Sequence, residues 1–176
     1  MRLLSVLFLS SILSVSGCAA ANRQVQPSYK VVAASAESQP YWVSTKASED
    51  ARYVFFVGRA DGAADLSVGE NQAEAQVRTV IRGAIHDQLR REFEAGHGTS
   101  LADKREVLDR ALMTSLSELA LNDHTPVARY WERLEVPVND GTRYSYRLAL
   151  LVRIPKDRFE ATRAQAYRKV ASQIGL

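Results

Sequence analysis

Residues 127–154 read VARYWERLEVPVNDGTRYSYRLALLVRI, and this stretch decides the fold. It holds two runs rich in apolar, β-branched and aromatic residues, 127–136 and 142–154, joined around Asn139-Asp140-Gly141, which is a strong hairpin signal. In the second run alternate side chains are apolar or aromatic and therefore share one face of a strand. The stretch predicts an antiparallel hairpin whose second strand has one buried face, formed by Tyr144, Tyr146, Leu148, Leu150, Val152 and Ile154.

Three helices are predicted around this hairpin, because apolar residues recur there at spacings of three and four. They cover residues 70–95, 100–121 and 156–173, and the first is expected to end at Gly96-His97-Gly98, where glycine adopts left-handed angles at little cost. Residues 53–58 (YVFFVG) predict a further buried strand. These elements predict an α+β fold, in which an antiparallel three-stranded sheet is covered on one face by the long helix and the additional helices.

The first seventeen residues have the features of a secretory signal peptide, which we expect to be cleaved. The cation Arg2 precedes an apolar run, residues 3–15, that is shorter than the roughly 20 residues a helix needs to cross a bilayer. Val15-Ser16-Gly17-Cys18 resembles the lipobox of bacterial lipoproteins, in which the cysteine sulfur receives a diacylglycerol. Cys18 is the single cysteine of the chain, so the sequence excludes a disulfide framework and a thiolate metal site.

The lipid on Cys18 would anchor the chain to a membrane, since two or more acyl chains give stable attachment. Ala19 stands where many inner-membrane lipoproteins carry aspartate, which favours the outer membrane, on its periplasmic face or at the cell surface. Residues 19–39 are small and polar and predict a flexible tether that spans about 25 Å. Residues 40–176 then form one domain.

Charge is balanced over the chain but unevenly distributed along it. Without residues 1–17 there are 22 basic and 20 acidic side chains, and this balance, together with export, excludes nucleic acid as a general partner. Residues 40–141 carry 12 basic and 17 acidic side chains, whereas residues 142–176 carry 8 and 2. The basic part predicts a surface for an acidic neighbour, a second copy, anionic lipid or cell-wall polymer, although a solvated surface explains it equally well. Its candidate residues are Arg147, Arg153, Arg158, Arg163, Arg168 and Lys169.

No catalytic or metal-binding motif is present in the sequence. The histidines at positions 86, 97 and 124 lack a second ligand at a metal-site spacing, and no phosphate loop, dinucleotide fingerprint or serine elbow occurs. Trp42 and Trp131 would either form an aromatic surface for a glycan or protein, or pack into the domain, which we favour. We expect a non-enzymatic protein with no metal, cofactor or small-molecule substrate.

Several short segments resemble the LPP-twenty family of small exported lipoproteins. They are Pro40-Tyr41-Trp42-Val43, Val57-Gly58-Arg59-Ala60, the helix beginning Asn71-Gln72-Ala73, Tyr130-Trp131 and Leu150-Leu151-Val152. The module is also similar to the N-terminal domain of the flagellar assembly protein T and to the flagellar outer-membrane lipoprotein P. This resemblance implies a dodecin-like helix-on-sheet domain with a role in assembly or surface structure.

We therefore expect an outer-membrane lipoprotein with a structural or protein-interaction role in the cell envelope. Its setting would be envelope assembly or flagellar assembly. The domain would bind another envelope protein or a second copy of itself. A regulator of peptidoglycan synthesis that binds a synthase is the first alternative. A tether of about 21 residues is short for reaching through the wall, which lowers its rank. An envelope hydrolase ranks last, because no pair of carboxylates is required to converge.

Overall fold

The structure is a computed structural model, and it describes residues 29–45, 47–97, 105–117, 121 and 123–175. The predicted signal peptide, Cys18, the first part of the predicted tether and both ends of the predicted second helix lie outside these residues.

Among the described residues, five antiparallel strands form one sheet, in the order β1-β4-β5-β3-β2. The α+β class and the antiparallel sheet are confirmed, but the prediction of three strands is wrong, because two short strands lie at the sheet edges. The strands are β1 (Lys30–Ala34), β2 (Ala47–Glu49), β3 (Tyr53–Ala63), β4 (Thr125–Val138) and β5 (Gly141–Pro155).

The β4–β5 hairpin is the centre of the sheet and is paired over nearly its whole length. Val138 and Gly141 close it around a two-residue connection, as the Asn-Asp-Gly signal predicts, and Gly141 has a φ of 138° that a side chain would strain. The predicted buried face of β5 is only partly buried. Leu148 is 1% exposed but Tyr144 is 47% exposed, because the layer of helices ends before the hairpin tip.

Three helices pack together on one face of the sheet: α1 (Leu66–His97), α2 (Arg105–Ser117) and α3 (Lys156–Ile174). Helix α1 lies against β3 and β5, and α2 packs against α1 and α3. Asp65 caps α1, since its Oδ1 accepts a hydrogen bond from the Val68 N–H at 2.8 Å. Six side chains of α1 are fully buried at the predicted spacing of four: Ala73, Val77, Ile81, Ile85, Leu89 and Phe93. None of the helices among the described residues is long and apolar enough to cross a membrane.

The other face of the sheet, here called the outer face, is crossed by residues 35–45, the crossing segment. Ser35 bonds to Trp131 at the β4 edge, and Val43 packs on a small apolar cluster that includes Val57 of β3 and Ala149 of β5. Arg59 fixes the segment by donating two hydrogen bonds to the Val43 carbonyl, at 2.6 and 3.0 Å. Residues 30–45 therefore belong to the folded domain, although residues 19–39 read as a tether from sequence.

Candidate interaction surfaces

The six basic residues predicted as an interaction surface lie on two opposite sides of the molecule. Arg147 and Arg153 project from β5 on the outer face, where Arg147 is paired across the strands with Glu132. The other four lie on α3, which packs on the opposite face of the sheet: Arg158, Arg163, Arg168 and Lys169. The structure therefore does not bring the six together in one patch.

Arg147 belongs to a polar cluster on the outer face. Its Nε donates to Asp61 Oδ1 at 2.9 Å, its Nη1 donates to Glu132 Oε2 at 3.1 Å, and its guanidinium lies 4.9 Å from the centre of the Tyr29 ring. Burial alone would lower the pKa of Arg147, but the hydrogen bonds to Tyr29 and Asp61 outweigh it and hold the pKa above its usual value. The Tyr130 hydroxyl donates to Glu132 Oε1 at 2.9 Å. The cluster links the first described residue to three strands.

Other basic residues of the C-terminal part are also engaged inside the molecule. Arg163 on α3 forms ion pairs with Glu92 of α1 and with Glu160, and Lys156 Nζ lies 3.3 Å from Glu49 of β2. The charge asymmetry seen along the sequence is thus partly neutralised by contacts within the fold. The guanidinium of Arg153 lies 4.6 Å from the centre of the Tyr53 ring. Among the contacts between described residues, Arg153 forms no ion pair.

The two tryptophans lie on opposite faces of the sheet and form no common aromatic surface. Trp42 packs on the apolar cluster of the outer face, whereas Trp131 packs on the main core, with its ring 6.2 Å from that of Tyr146. This agrees with the expectation that each packs into the domain.

The histidines are likewise separated. His86 lies near Asp87 on α1, His97 is the last residue of α1, and His124 lies just before β4. Among the residues that the structure describes, no three His, Cys, Asp or Glu side chains are grouped so as to hold a metal ion.

Strand β1 covers the outward edge of β4 over less than half of its length. The pairing of β1 with β4 runs from Glu135 to Glu132, and Ser35 then bonds to both the N–H and the C=O of Trp131. Backbone groups of a strand point to alternate edges, so the N–H and C=O of Arg129 point to the same edge as those of Trp131. No described strand lies beside residues 125–130 on that side. This part of the strand, residues 125–130, is called the open edge below.

A groove of about 470 Å³ runs between the open edge and α1. The strand wall carries Val127, which is 48% exposed, and the apolar side chain of Leu150 lies between the walls. The helix wall carries Asn71 and two carboxylates, Glu70 and Glu74. The groove thus combines unpaired backbone, apolar surface and negative charge.

Ion pairs fix the walls of this groove. Arg129 of β4 pairs with Glu70 of α1 across it. At its other end Glu74 Oε1 lies 2.6 Å from His124 Nε2 and 3.2 Å from Arg78 Nη2. The side chain of His124 is 5% exposed, and its Nδ1 lies 2.9 Å from the carbonyl of Leu121. These contacts join the helix wall of the groove to its strand side.

Sequence reasoning missed the open edge, although one signal pointed to it. Pro126 directly precedes the predicted strand and lies within the observed β4, and proline is confined to edge strands or bulges because it cannot donate to a ladder. The pairing of β4 with β5 shifts register between Pro126 and Ala128, as a bulge requires. The basic surface predicted from charge is divided between two faces, and the open edge and its groove are the candidate site.

The chain matches no family model, no curated protein and no solved structure.

Proposed function

We propose that this chain is a lipoprotein anchored to the outer membrane through Cys18, and that its domain binds another envelope protein. The lipobox-like segment before Cys18 supports the anchor, and the resemblance to LPP-twenty lipoproteins supports an envelope role. The observation that carries the binding role is the open edge of β4 with the groove beside it.

Covalent geometry limits how far the domain would lie from such an anchor. Lys30, the first residue of β1, follows Cys18 by twelve residues, which span at most about 42 Å when fully extended. Tyr29 is already joined to the domain through Arg147. The distance between the membrane and the domain is therefore limited by the twelve residues up to Lys30 and not by the whole of residues 19–39. A partner would have to lie close to the membrane.

A different protein is favoured over a second copy as the partner. Self-association was expected from the charge asymmetry, but Arg147, Lys156 and Arg163 are engaged with acidic side chains of the same molecule. Part of that asymmetry is therefore neutralised within one molecule, which weakens the argument for self-association.

Site-specific photo-crosslinking in living cells tests both parts of the proposal. Benzoylphenylalanine replaces Val127, which is 48% exposed on the open edge, and in a control chain it replaces Val107, which is 46% exposed on α2. We expect one discrete envelope protein, identified by mass spectrometry, to crosslink from position 127 and not from position 107. Equal capture from both positions, or none from 127, would contradict the binding role.

The anchor is tested separately by cell fractionation. Cys18→Ser removes the sulfur that would carry the lipid, so the chain is expected to leave the membrane fraction while its domain stays folded by circular dichroism. The crosslink from Val127 should also weaken, because the domain is no longer held beside its partner. A Cys18→Ser chain that remains in the membrane fraction would refute the anchor.

A further inference from the structure

We infer that the partner supplies an extended peptide segment, which adds to the open edge of β4 as an antiparallel strand and places basic and apolar side chains in the groove. This inference deepens the proposed function, on which it rests, by naming the chemical class of the partner. It follows from the backbone of β4, from the composition of the groove walls and from the position of β1.

The backbone of β4 already accepts one added strand. Strand β1 pairs antiparallel with the same edge at residues 132–135, and it does so with five residues that are all exposed. Its stability therefore derives largely from backbone pairing and little from burial. An incoming strand on residues 125–130 would continue the line of β1 and satisfy the outward N–H and C=O of Arg129.

The groove determines which side chains such a strand needs. Alternate residues of a strand are about 7 Å apart on one face, so two or three of them would face α1. One meets the apolar surface of Val127 and Leu150, and another meets the helix wall with Glu70 and Glu74. The groove lining carries two carboxylates and one guanidinium, that of Arg129, which pairs with Glu70, whereas Glu74 contacts His124 and Arg78 outside the lining. A Lys or Arg side chain would share these carboxylates, whereas an acidic side chain would meet like charge.

Ordinary protection of a sheet edge explains Pro126 and Arg129 but not the groove. Edge strands are commonly blunted by proline and by charged side chains. A blunted edge, however, requires no apolar channel beside it, and here the pairs Arg129–Glu70 and His124–Glu74 join α1 to the β4 side across such a channel. A channel bordered by a free strand edge and a helix suits an added strand with side chains directed toward the helix.

Peptide binding to the native full chain in detergent tests the inference. The probe is the fluorescein-labelled hexapeptide Thr-Val-Thr-Lys-Thr-Val, called the Lys-Val peptide, in which Val and Lys share one face. In its charge-reversed counterpart, the Glu-Val peptide, Glu replaces Lys. Two further peptides carry N-methyl groups on the threonine amides or on the valine and lysine amides, so that one of them blocks the edge facing β4 and the other blocks the opposite edge. Anisotropy gives the affinity, and hydrogen exchange gives the position.

We expect saturable binding of the Lys-Val peptide, at least tenfold weaker binding of the Glu-Val peptide, and a similar loss for one N-methylated peptide only. Amide exchange should slow within residues 125–131. Arg129→Pro, which removes an outward N–H, should bind the peptide at least tenfold more weakly than Arg129→Ala, which loses the same side chain but keeps that N–H.

Three results would overturn the inference: no binding of the Lys-Val peptide, equal binding of both N-methylated peptides, or protection elsewhere in the chain. If the crosslink from Val127 persists in cells despite such a result, the binding role stands and only the peptide assignment falls. If that crosslink is also missing, the binding role falls with it.

Discussion

Replacing Gly58 with alanine should destabilise the domain by about 3 kcal/mol. Gly58 lies on β3 under α1, and an added Cβ would lie 2.1 Å from the Ala73 carbonyl oxygen, 2.6 Å from Val77 Cγ2 and 2.9 Å from the Val77 nitrogen. Ordinary contacts begin at 3.4 Å, so α1 would have to move by more than 1 Å. Two of the three atoms belong to the helix backbone and cannot rotate away, which places the cost at the upper end of the usual range for overpacking.

The neighbouring positions leave α1 little freedom to move. Its buried side chains, from Ala73 to Phe93, are 0% exposed and lie in one continuous core with β3 and β5. A shift at Ala73 would therefore loosen contacts along the whole helix, because a close-packed interior transmits strain.

Gly83→Ala is the matched control, with the opposite sign expected. Gly83 lies in the middle of the same helix, and no atom lies within 4 Å of an added Cβ. Alanine there should stabilise by about 0.5–1 kcal/mol, since glycine is unfavourable in a helix interior. Urea unfolding followed by circular dichroism should separate the two variants by roughly 4 kcal/mol. Two variants that both unfold within about 0.5 kcal/mol of the parent would refute the close approach of α1 to β3.

Four further measurements follow from the contacts described above. Arg147→Ala leaves the buried carboxylate of Glu132 without its cation and should lower the free energy of unfolding by about 1–3 kcal/mol in urea titration. Burial, reinforced by Glu132, raises the pKa of Tyr130. The contribution of this tyrosine to stability is therefore present below its ordinary pKa and is lost as pH rises through the raised value. In an ultraviolet titration, Tyr130→Phe should lack one phenol that ionises later than the others. Backbone hydrogen bonds lower the pKa of Asp50. Its contribution to stability is present above its ordinary pKa and is lost as pH falls through the lowered value. In Asp50→Asn, the free energy of unfolding should therefore fall less steeply as the pH is lowered. Leu89→Ala leaves a cavity under α1 and should cost about 2–5 kcal/mol by thermal or urea unfolding.

The central elements of the fold were predictable because their patterns are local. The hairpin signal at Asn139-Asp140-Gly141 and the alternation along β5 are properties of adjacent residues. The hairpin is confirmed, and the predicted buried face of β5 is confirmed from Leu148 to Ile154 but not at Tyr144. The spacing of four along α1 is likewise local, since each side chain of a helix shares a face with the residues three and four positions away. Such patterns predict the structure well because the apolar residues that recur at the period of the helix are the residues that the helix buries.

The edge strands were not predictable from the same kind of pattern. All residues of β1 and β2 are exposed, so neither strand has the apolar alternation that a buried face would impose. Their strand conformation results from pairing with β4 and β3, which are distant in sequence. For this reason residues 30–34 read as tether, and three strands were expected where five are present.

Periodicity also indicates which face a side chain is on, but not where the neighbouring layer ends. Val107 belongs to the apolar stripe of the predicted second helix, yet it is 46% exposed. Tyr144 lies on the predicted buried face of β5, yet it is 47% exposed. Which part of a face is covered is a property of the assembled layers and not of the residues adjacent in sequence.

The candidate site depends on a difference in length between two strands. Strand β1 has five residues and β4 has fourteen, so pairing with β1 cannot cover the outward edge of β4. The chain turns away at Ser35, which bonds to Trp131 and leads into the segment that crosses the outer face, fixed there by Arg59. Continuing β1 along β4 would close the edge but leave the apolar cluster around Val43 uncovered. The open edge is thus a consequence of covering the outer face, and neither is encoded in β4 itself.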